Sequence, residues 1–192
     1  MPDLIQIDQG LFTLINQGLA NPFFDWLMPY LRNRYFWSPL YLLLIVFFTK
    51  NYGKRGWMLL FFFILTFAVT DYVTASIIKP NVARLRPCND PEIKNGMRLL
   101  ISCGSGYSFP STHASNHFAL AAFLINMFYR RWRFILFLAF FWAASISFAQ
   151  VYVGVHYPFD ILFGASTGSL IGFMMAEIIK TTKPFRRWRS GN

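Results

Sequence analysis

In the stretch AQVYVGVHYPFDIL, residues 149–162, His156 and Asp160 stand four apart between two long apolar runs. Pro158 lies between them. The residue before a proline avoids helical angles and proline itself suits the first helical position, so one helix should end here and another begin. His156 is then held at the turn and Asp160 falls in the next helix's first turn. From there the carboxylate can hydrogen-bond one imidazole nitrogen, leaving the other unprotonated and nucleophilic. A second cluster is YSFPSTHASNH, residues 107–117. Pro110 is expected at the first position of a helix, whose free backbone N–H groups and dipole form a seat for phosphate. Ser111 and His113 add donors there, and the amide of Thr112 belongs to the same turn. His113 and His117 also have a spacing that can hold zinc. Neither the glutamate of an H-E-x-x-H motif nor a cluster of carboxylates accompanies them, so no metal site is expected and His117 is expected either to be structural or to support a residue that touches the ligand. The third cluster, KPNVARLRP at residues 79–87, crowds Lys79, Arg84 and Arg86 where Pro80 and Pro87 should break a helix. Alone, this stretch would be a set of interfacial anchors.

The elements that position these clusters are set by an apolar solvent. Of 192 residues, 55% are hydrophobic, 23 are phenylalanine and only 14% are charged, unlike a soluble domain. Long apolar runs cover residues 35–49, 56–78, 111–129, 134–155 and 161–179, interrupted by charge only at Asp71 and Glu177. All but the first approach or exceed the roughly 20 residues that cross a bilayer, and the first extends through the aromatic flank Tyr35, Phe36 and Trp37. The expected fold is all-α: a polytopic membrane helix bundle of five to six transmembrane helices in one domain, residues 1–192. Within residues 1–34, Ile7, Leu11, Leu14, Ile15 and Leu19 recur at helical spacing with Asp8, Gln9 and Gln17 elsewhere around the helix. That pattern predicts an amphipathic helix lying in the interface. A signal peptide is rejected, because a basic start and a continuous apolar core are missing.

Basic residues follow the first span (Lys50, Lys54, Arg55), the third (Arg130, Arg131, Arg133) and the fifth (Lys180, Lys183, Arg186, Arg187, Arg189), eleven of the 18 in the chain. The positive-inside rule makes that side cytoplasmic. It accounts for much of the net charge of +10 through anionic lipid, without nucleic acid. The loop from 79 to 110 and the turn from 156 to 160 then face outward together. Lys79, Arg84 and Arg86 are cations on the side where anchors are not expected, which points to an anionic ligand. Cys88 and Cys103 lie in the same outward loop, where an oxidising compartment lets them pair.

Taken together, K-x6-R-P at Lys79, Arg86 and Pro87, P-S-T-H at 110–113 and H-x3-D at His156 and Asp160 resemble the type 2 phosphatidate phosphatase superfamily, over residues 79–160 and in the family's motif order. That family's pattern is K-x6-R-P, P-S-G-H and S-R-x5-H-x3-D. Thr112 replaces its glycine, which keeps the backbone N–H. Ala149 and Gln150 replace its serine and arginine, so a neutral amide stands where a charged fork would hold phosphate. Arg84 is the cation expected to compensate.

The resemblance implies a metal-independent lipid phosphatase without a cofactor. His156 would be the nucleophile that becomes phosphohistidine, Asp160 its orienting carboxylate, and His113 the acid and base. Lys79, Arg86, Ser111, Thr112, Gln150 and Arg84 would hold phosphate. Its substrate would be a lipid phosphate entering from the bilayer: phosphatidate, phosphatidylglycerol phosphate, a polyprenyl diphosphate or a phosphorylated lipid A, with a leaning to a polyprenyl diphosphate or a glycerophospholipid phosphate. The location expected is a bacterial plasma membrane, with the site on the extracytoplasmic face. Two other readings compete. Gln150 leaves room for a lipid-phosphate binder that has lost turnover. Asp71 and Glu177, inside spans, raise a transporter, but Glu177 has Lys180 three residues on, Asp71 is assigned to joining helices, and the polar residues gather at one side rather than through the full depth.

Overall fold

The computed structural model describes residues 3–185. Three of the basic residues assigned to the cytoplasmic tail, Arg186, Arg187 and Arg189, lie outside them. Among the described residues there are helices and no strands. In order these are α1 (Leu4–Thr13), continued by a π-turn at Leu14–Gly18, α2 (Pro22–Leu31), α3 (Ser38–Tyr52), α4 (Lys54–Asp71), α5 (Lys79–Val82), α6 (Thr112–Phe128), α7 (Ile135–Tyr152) and α8 (Pro158–Thr181). A π-helical stretch, Tyr72–Ile78, joins α4 to α5, so the backbone runs on helically through Lys79 before the loop begins. Three segments are long and apolar enough to cross a membrane: Lys54–Asn89, Ile135–Tyr152 and Pro158–Thr181. Helices α3 and α6, of 15 and 17 residues, are shorter.

The outside of the bundle is apolar. Leu42, Phe61, Phe137, Phe141, Leu162 and Leu170 are all more than half exposed, which water would oppose and lipid accepts. Inside, Phe48, Leu59, Phe63, Phe123, Phe128, Trp142 and Ile146 form the largest buried cluster. Helices α6 and α8 approach most closely, because Gly164, Gly168 and Gly172 line one stripe of α8. A Cβ on Gly168 would lie 2.0 Å from the Ser115 carbonyl oxygen, and one on Gly172 would lie 2.0 Å from that of Ala119. Small residues at a four-residue spacing permit this backbone contact between membrane helices. Its consequence reaches the site: the Ser111 N–H donates to the Asp160 carbonyl at 3.0 Å, so the N-termini of α6 and α8 start side by side.

The N-terminal helix turns its polar side inward. Leu4, Ile5 and Leu14 are exposed while Asp8, Phe12 and Asn16 are buried. Asp8 accepts the Phe159 N–H at 2.8 Å. Asn16 donates to the carbonyls of Arg98 and Tyr152 and accepts from the Arg98 N–H, each at 2.8 Å, fastening α1 to the 79–110 loop and to α7.

That loop carries the Cys88–Cys103 disulfide, as expected from sequence, with Cα atoms 5.9 Å apart. The bridge anchors the chain just beyond Arg86 to the chain just before Gly106, whose carbonyl accepts from Arg86 Nε at 3.3 Å. For a closed loop of about 15 residues the chain-entropy model gives roughly 3 kcal/mol. The Cys88→Ser, Cys103→Ser double variant should therefore melt below the wild type in detergent, and dithiothreitol should bring the wild type down to it. An unchanged melting temperature would show that the loop is held by its other contacts.

Candidate active site

His156 sits in the five residues between α7 and α8, which form a turn because Gly154 adopts φ +92°, a conformation other residues rarely take. Its Nδ1 faces Asp160 Oδ2 at 3.3 Å. The same carboxylate oxygen caps α8 by accepting the Tyr157 N–H at 2.8 Å. Asp160 is fully buried and its other oxygen accepts from Arg84 at 2.9 Å. The ring is thereby oriented with Nε2 toward a cavity, where Arg86 Nη1 lies 3.4 Å away. Arg86 is aimed by the carbonyls of Val155 and Gly106, and Lys79 by the Tyr107 carbonyl at 3.1 Å.

The cavity measures about 680 Å³. Lys79, Arg86, Thr112, His113, Gln150 and His156 meet at its polar end, and Leu44, Ile45, Leu60, Phe63, Ile64 and Phe67 of α3 and α4 form an apolar wall. Helix α6 starts at Thr112, not at Pro110: Ser111 is its N-cap, accepting weakly from the Ala114 N–H at 3.4 Å. The amides of Thr112 and His113 are thus first-turn donors with no intrahelical acceptor, at the positive end of the helix dipole.

Two expected phosphate ligands stand apart from this cavity. Ser111 is fully buried and its hydroxyl is turned to capping. Arg84 is taken by carboxylates, with one amine 2.6 Å from Asp8 and the other 2.9 Å from Asp160, and its guanidinium lies over the Tyr157 ring at 4.0 Å. A guanidinium so neutralised does not replace the charge missing at Gln150; it braces Asp160 from behind. Gln150 does line the cavity, is fully buried, and has neither amide atom hydrogen-bonded. His117 uses both ring nitrogens, toward the His113 carbonyl at 2.8 Å and the Tyr41 hydroxyl at 3.2 Å. Asp71 accepts from Asn116 at 2.8 Å across α4 and α6, and Glu177 pairs with Lys180 at 3.0 Å. Neither links to the other through the membrane depth.

Arg32, Arg34, Tyr41 and Asp71 also line the cavity, outside the three sequence clusters. A signal was available for the arginines: like Lys79 and Arg86, they precede a span on the side where the positive-inside rule does not place cations.

Burial holds the His156 imidazole down at about 4, against 6.5 when free, with Asp160 opposing the shift and Arg86 and Lys79 adding to it. The folded protein therefore binds fewer protons at this ring than the unfolded chain between those values. The stability that depends on a neutral His156 is complete above pH 6.5 and is lost as pH falls toward 4. Melting temperature measured against pH should decline over that window more steeply in the wild type than in His156→Gln. Parallel curves would show that the ring does not titrate as its burial requires.

The described residues form an apolar helical bundle with a cavity in which cations and imidazoles gather, an arrangement suited to binding a phosphate group. The chain belongs to the PAP2 superfamily, whose pattern it matches over residues 56–184. It is 35% identical to a lipid A 4'-phosphatase of Bacteroides thetaiotaomicron over 89% of this chain and 76% of that one. It is also 32% identical to an undecaprenyl-diphosphatase of Sulfolobus acidocaldarius, over 92% and 80% of the two chains. In fold it resembles Aquifex aeolicus LpxE, with TM-score 0.66 and 23% identity over 89% of this chain and 95% of the other. A second likeness is to a phosphatidylglycerolphosphate phosphatase of Bacillus subtilis, with TM-score 0.70 and 22% identity over 96% and 90%. The chain is a lipid phosphatase, and its reaction removes phosphate from a membrane lipid.

Proposed function

We propose that residues 1–192 act as one domain that hydrolyses a lipid phosphate at the extracytoplasmic face of a bacterial inner membrane, through a phosphohistidine at His156. The observation that carries this reading is the aim of that ring: Nδ1 held by Asp160 and Nε2 turned to the cavity beside Arg86. In the first step the Nε2 lone pair attacks phosphorus, the bond to the lipid oxygen breaks, and that oxygen takes a proton from His113. In the second, neutral His113 takes a proton from water, the hydroxide attacks phosphorus, and the P–N bond breaks to release inorganic phosphate and restore both rings. Lys79, Arg86 and the amides of Thr112 and His113 hold the equatorial oxygens, where charge spreads in the transition state.

Helices α3, α4, α6, α7 and α8 are the five spans of this reading, and α1 lies in the interface with its exposed leucines toward acyl chains. The substrate's headgroup occupies the polar end of the cavity, while an acyl chain runs along the wall between α3 and α4. Of the candidate lipids, a phosphorylated lipid A is favoured because two of the similar proteins, from Bacteroides thetaiotaomicron and Porphyromonas gingivalis, are lipid A 4'-phosphatases. The test is phosphate release from lipid A, phosphatidate, phosphatidylglycerol phosphate and undecaprenyl diphosphate, in detergent with excess chelator. Lipid A is expected to give the highest kcat/KM, and turnover is expected to survive chelation. A preference for undecaprenyl diphosphate would move the assignment to that lipid, and loss of all turnover on chelation would overturn the metal-independent mechanism.

A further inference from the structure

Gln150 leaves one side of the cavity without charge, yet its fully buried amide has no hydrogen-bond partner. A buried amide in that condition costs free energy unless something in the cavity meets it. Helix α2 packs against the end of α7 that carries Gln150. Met28 of α2 packs with Ala149 and Tyr152 of α7 and with Val153 just after it. Arg32 lies one helical turn after Met28, bonded to it through the backbone, and so falls on the same face of α2.

Arg32 lines the cavity together with Gln150, Arg86, His113 and His156. Its Nε is buried with no hydrogen-bond partner, and it has no ion pair among the described residues. This differs from Arg84 and Arg98. Arg84 is neutralised by Asp8 and Asp160, and Arg98 pairs with Asp25 at 2.5 Å. Arg32 and Arg86 are close enough for each to feel the other's charge. Arg32, Arg34, Lys79 and Arg86 line the cavity against one carboxylate, Asp71, and an excess of cations around an enclosed space favours the arrival of an anion.

We propose that Arg32 is a phosphate-holding residue: from the end of α2 it reaches the phosphoryl group of the lipid on the side where Gln150 supplies only a neutral amide. The phosphoryl oxygens then meet Arg86 and Lys79 from the 79–87 segment and Arg32 from the opposite wall, with the Gln150 amide as a neutral donor between. This rests on the phosphatase reading above. It also ties the N-terminal region to the chemistry, because α2 lies outside the three-motif segment.

The experiment compares wild type, Arg32→Gln, Arg32→Lys, Arg86→Gln and the double variant Arg32→Gln, Gln150→Arg. It measures kcat, KM and the inhibition constant of inorganic phosphate. Arg32→Gln should weaken phosphate inhibition and lower kcat/KM roughly tenfold to a hundredfold, as expected for a lost charge-assisted bond. Arg32→Lys should fall between, keeping charge without the fork, and should report if the glutamine variant does not fold. The double variant should regain a substantial part of the loss, since it returns a guanidinium to the same cavity. Phosphate inhibition and kcat/KM within twofold of wild type in Arg32→Gln, alongside a large loss in Arg86→Gln, would overturn the proposal and leave the phosphatase site standing. A loss in Arg32→Gln that spares phosphate inhibition and is not repaired by Gln150→Arg would overturn it too. Full turnover in Arg86→Gln would instead strike at the site itself.

Discussion

Replacing His156 with alanine is expected to lower phosphate release by about 10⁴-fold or more, the scale seen when an enzyme loses its nucleophile. The imidazole is buried, held at Nδ1 by Asp160, with Nε2 beside Arg86. Denaturing the wild type during turnover of a phosphorus-labelled lipid should trap label on the protein in an acid-labile, base-stable form, and His156→Ala should trap none. His113→Ala should behave differently. Loss of a general acid costs about 10²- to 10⁴-fold, and an aryl phosphate, whose leaving oxygen needs no proton, should recover much of it. If His156→Ala retained a tenth of wild-type turnover, the covalent mechanism would be wrong and Asp160 would need another explanation.

The second large effect comes from a residue with no chemistry. Gly168→Leu should abolish both activity and a monodisperse folded state in detergent. Its new Cβ would fall 2.0 Å from the Ser115 carbonyl oxygen, with the Ser115 Cα 2.8 Å away. These are backbone atoms that cannot rotate aside, so α6 and α8 must separate. Overpacking typically costs about 1–3 kcal/mol, and more where backbones must move. Separation would also break the link from Ser111 to Asp160 and pull the two helix N-termini, with His113 and His156, out of register. Gly10→Leu is the matched control, because an added Cβ there meets nothing within 4 Å. A Gly168→Leu protein that folds and turns over normally would show that α6 and α8 do not need this contact.

Asp8 shows how an amphipathic pattern can be legible while its destination is not. Asp8 stood out from the apolar residues of α1 by its type. Only the fold placed Asp8 against Arg84 and the Phe159 N–H. In a membrane protein the apolar face is the exposed one, so polarity marks what turns inward without naming its partner.

Arg84 is the clearest departure. Proximity to Arg86 in sequence made it a candidate for phosphate, but the two residues leave the chain in different directions. Arg86 turns to the Val155 carbonyl and His156, whereas Arg84 turns to Asp8 and Asp160. Two carboxylates from distant elements neutralise it, and no local rule brings α1 and α8 together.

The sequence by itself determined the solvent, the helical class, the disulfide and the three clusters of charge and imidazole. Each is a local matter: apolar runs long enough for a bilayer, prolines that fix where helices start and stop, and residue types whose chemistry does not depend on neighbours. The tertiary structure alone decided the rest. It chose which imidazole nitrogen faces the cavity, gave Ser111 to a helix cap, and turned Arg84 into a brace. It also brought Arg32 to the cavity that Gln150 lines, 118 positions along the chain. These outcomes rest on contacts between segments far apart in sequence, above all the glycine stripe of α8 that lets α6 lie against it, and side-chain direction across such contacts is fixed only when the helices pack.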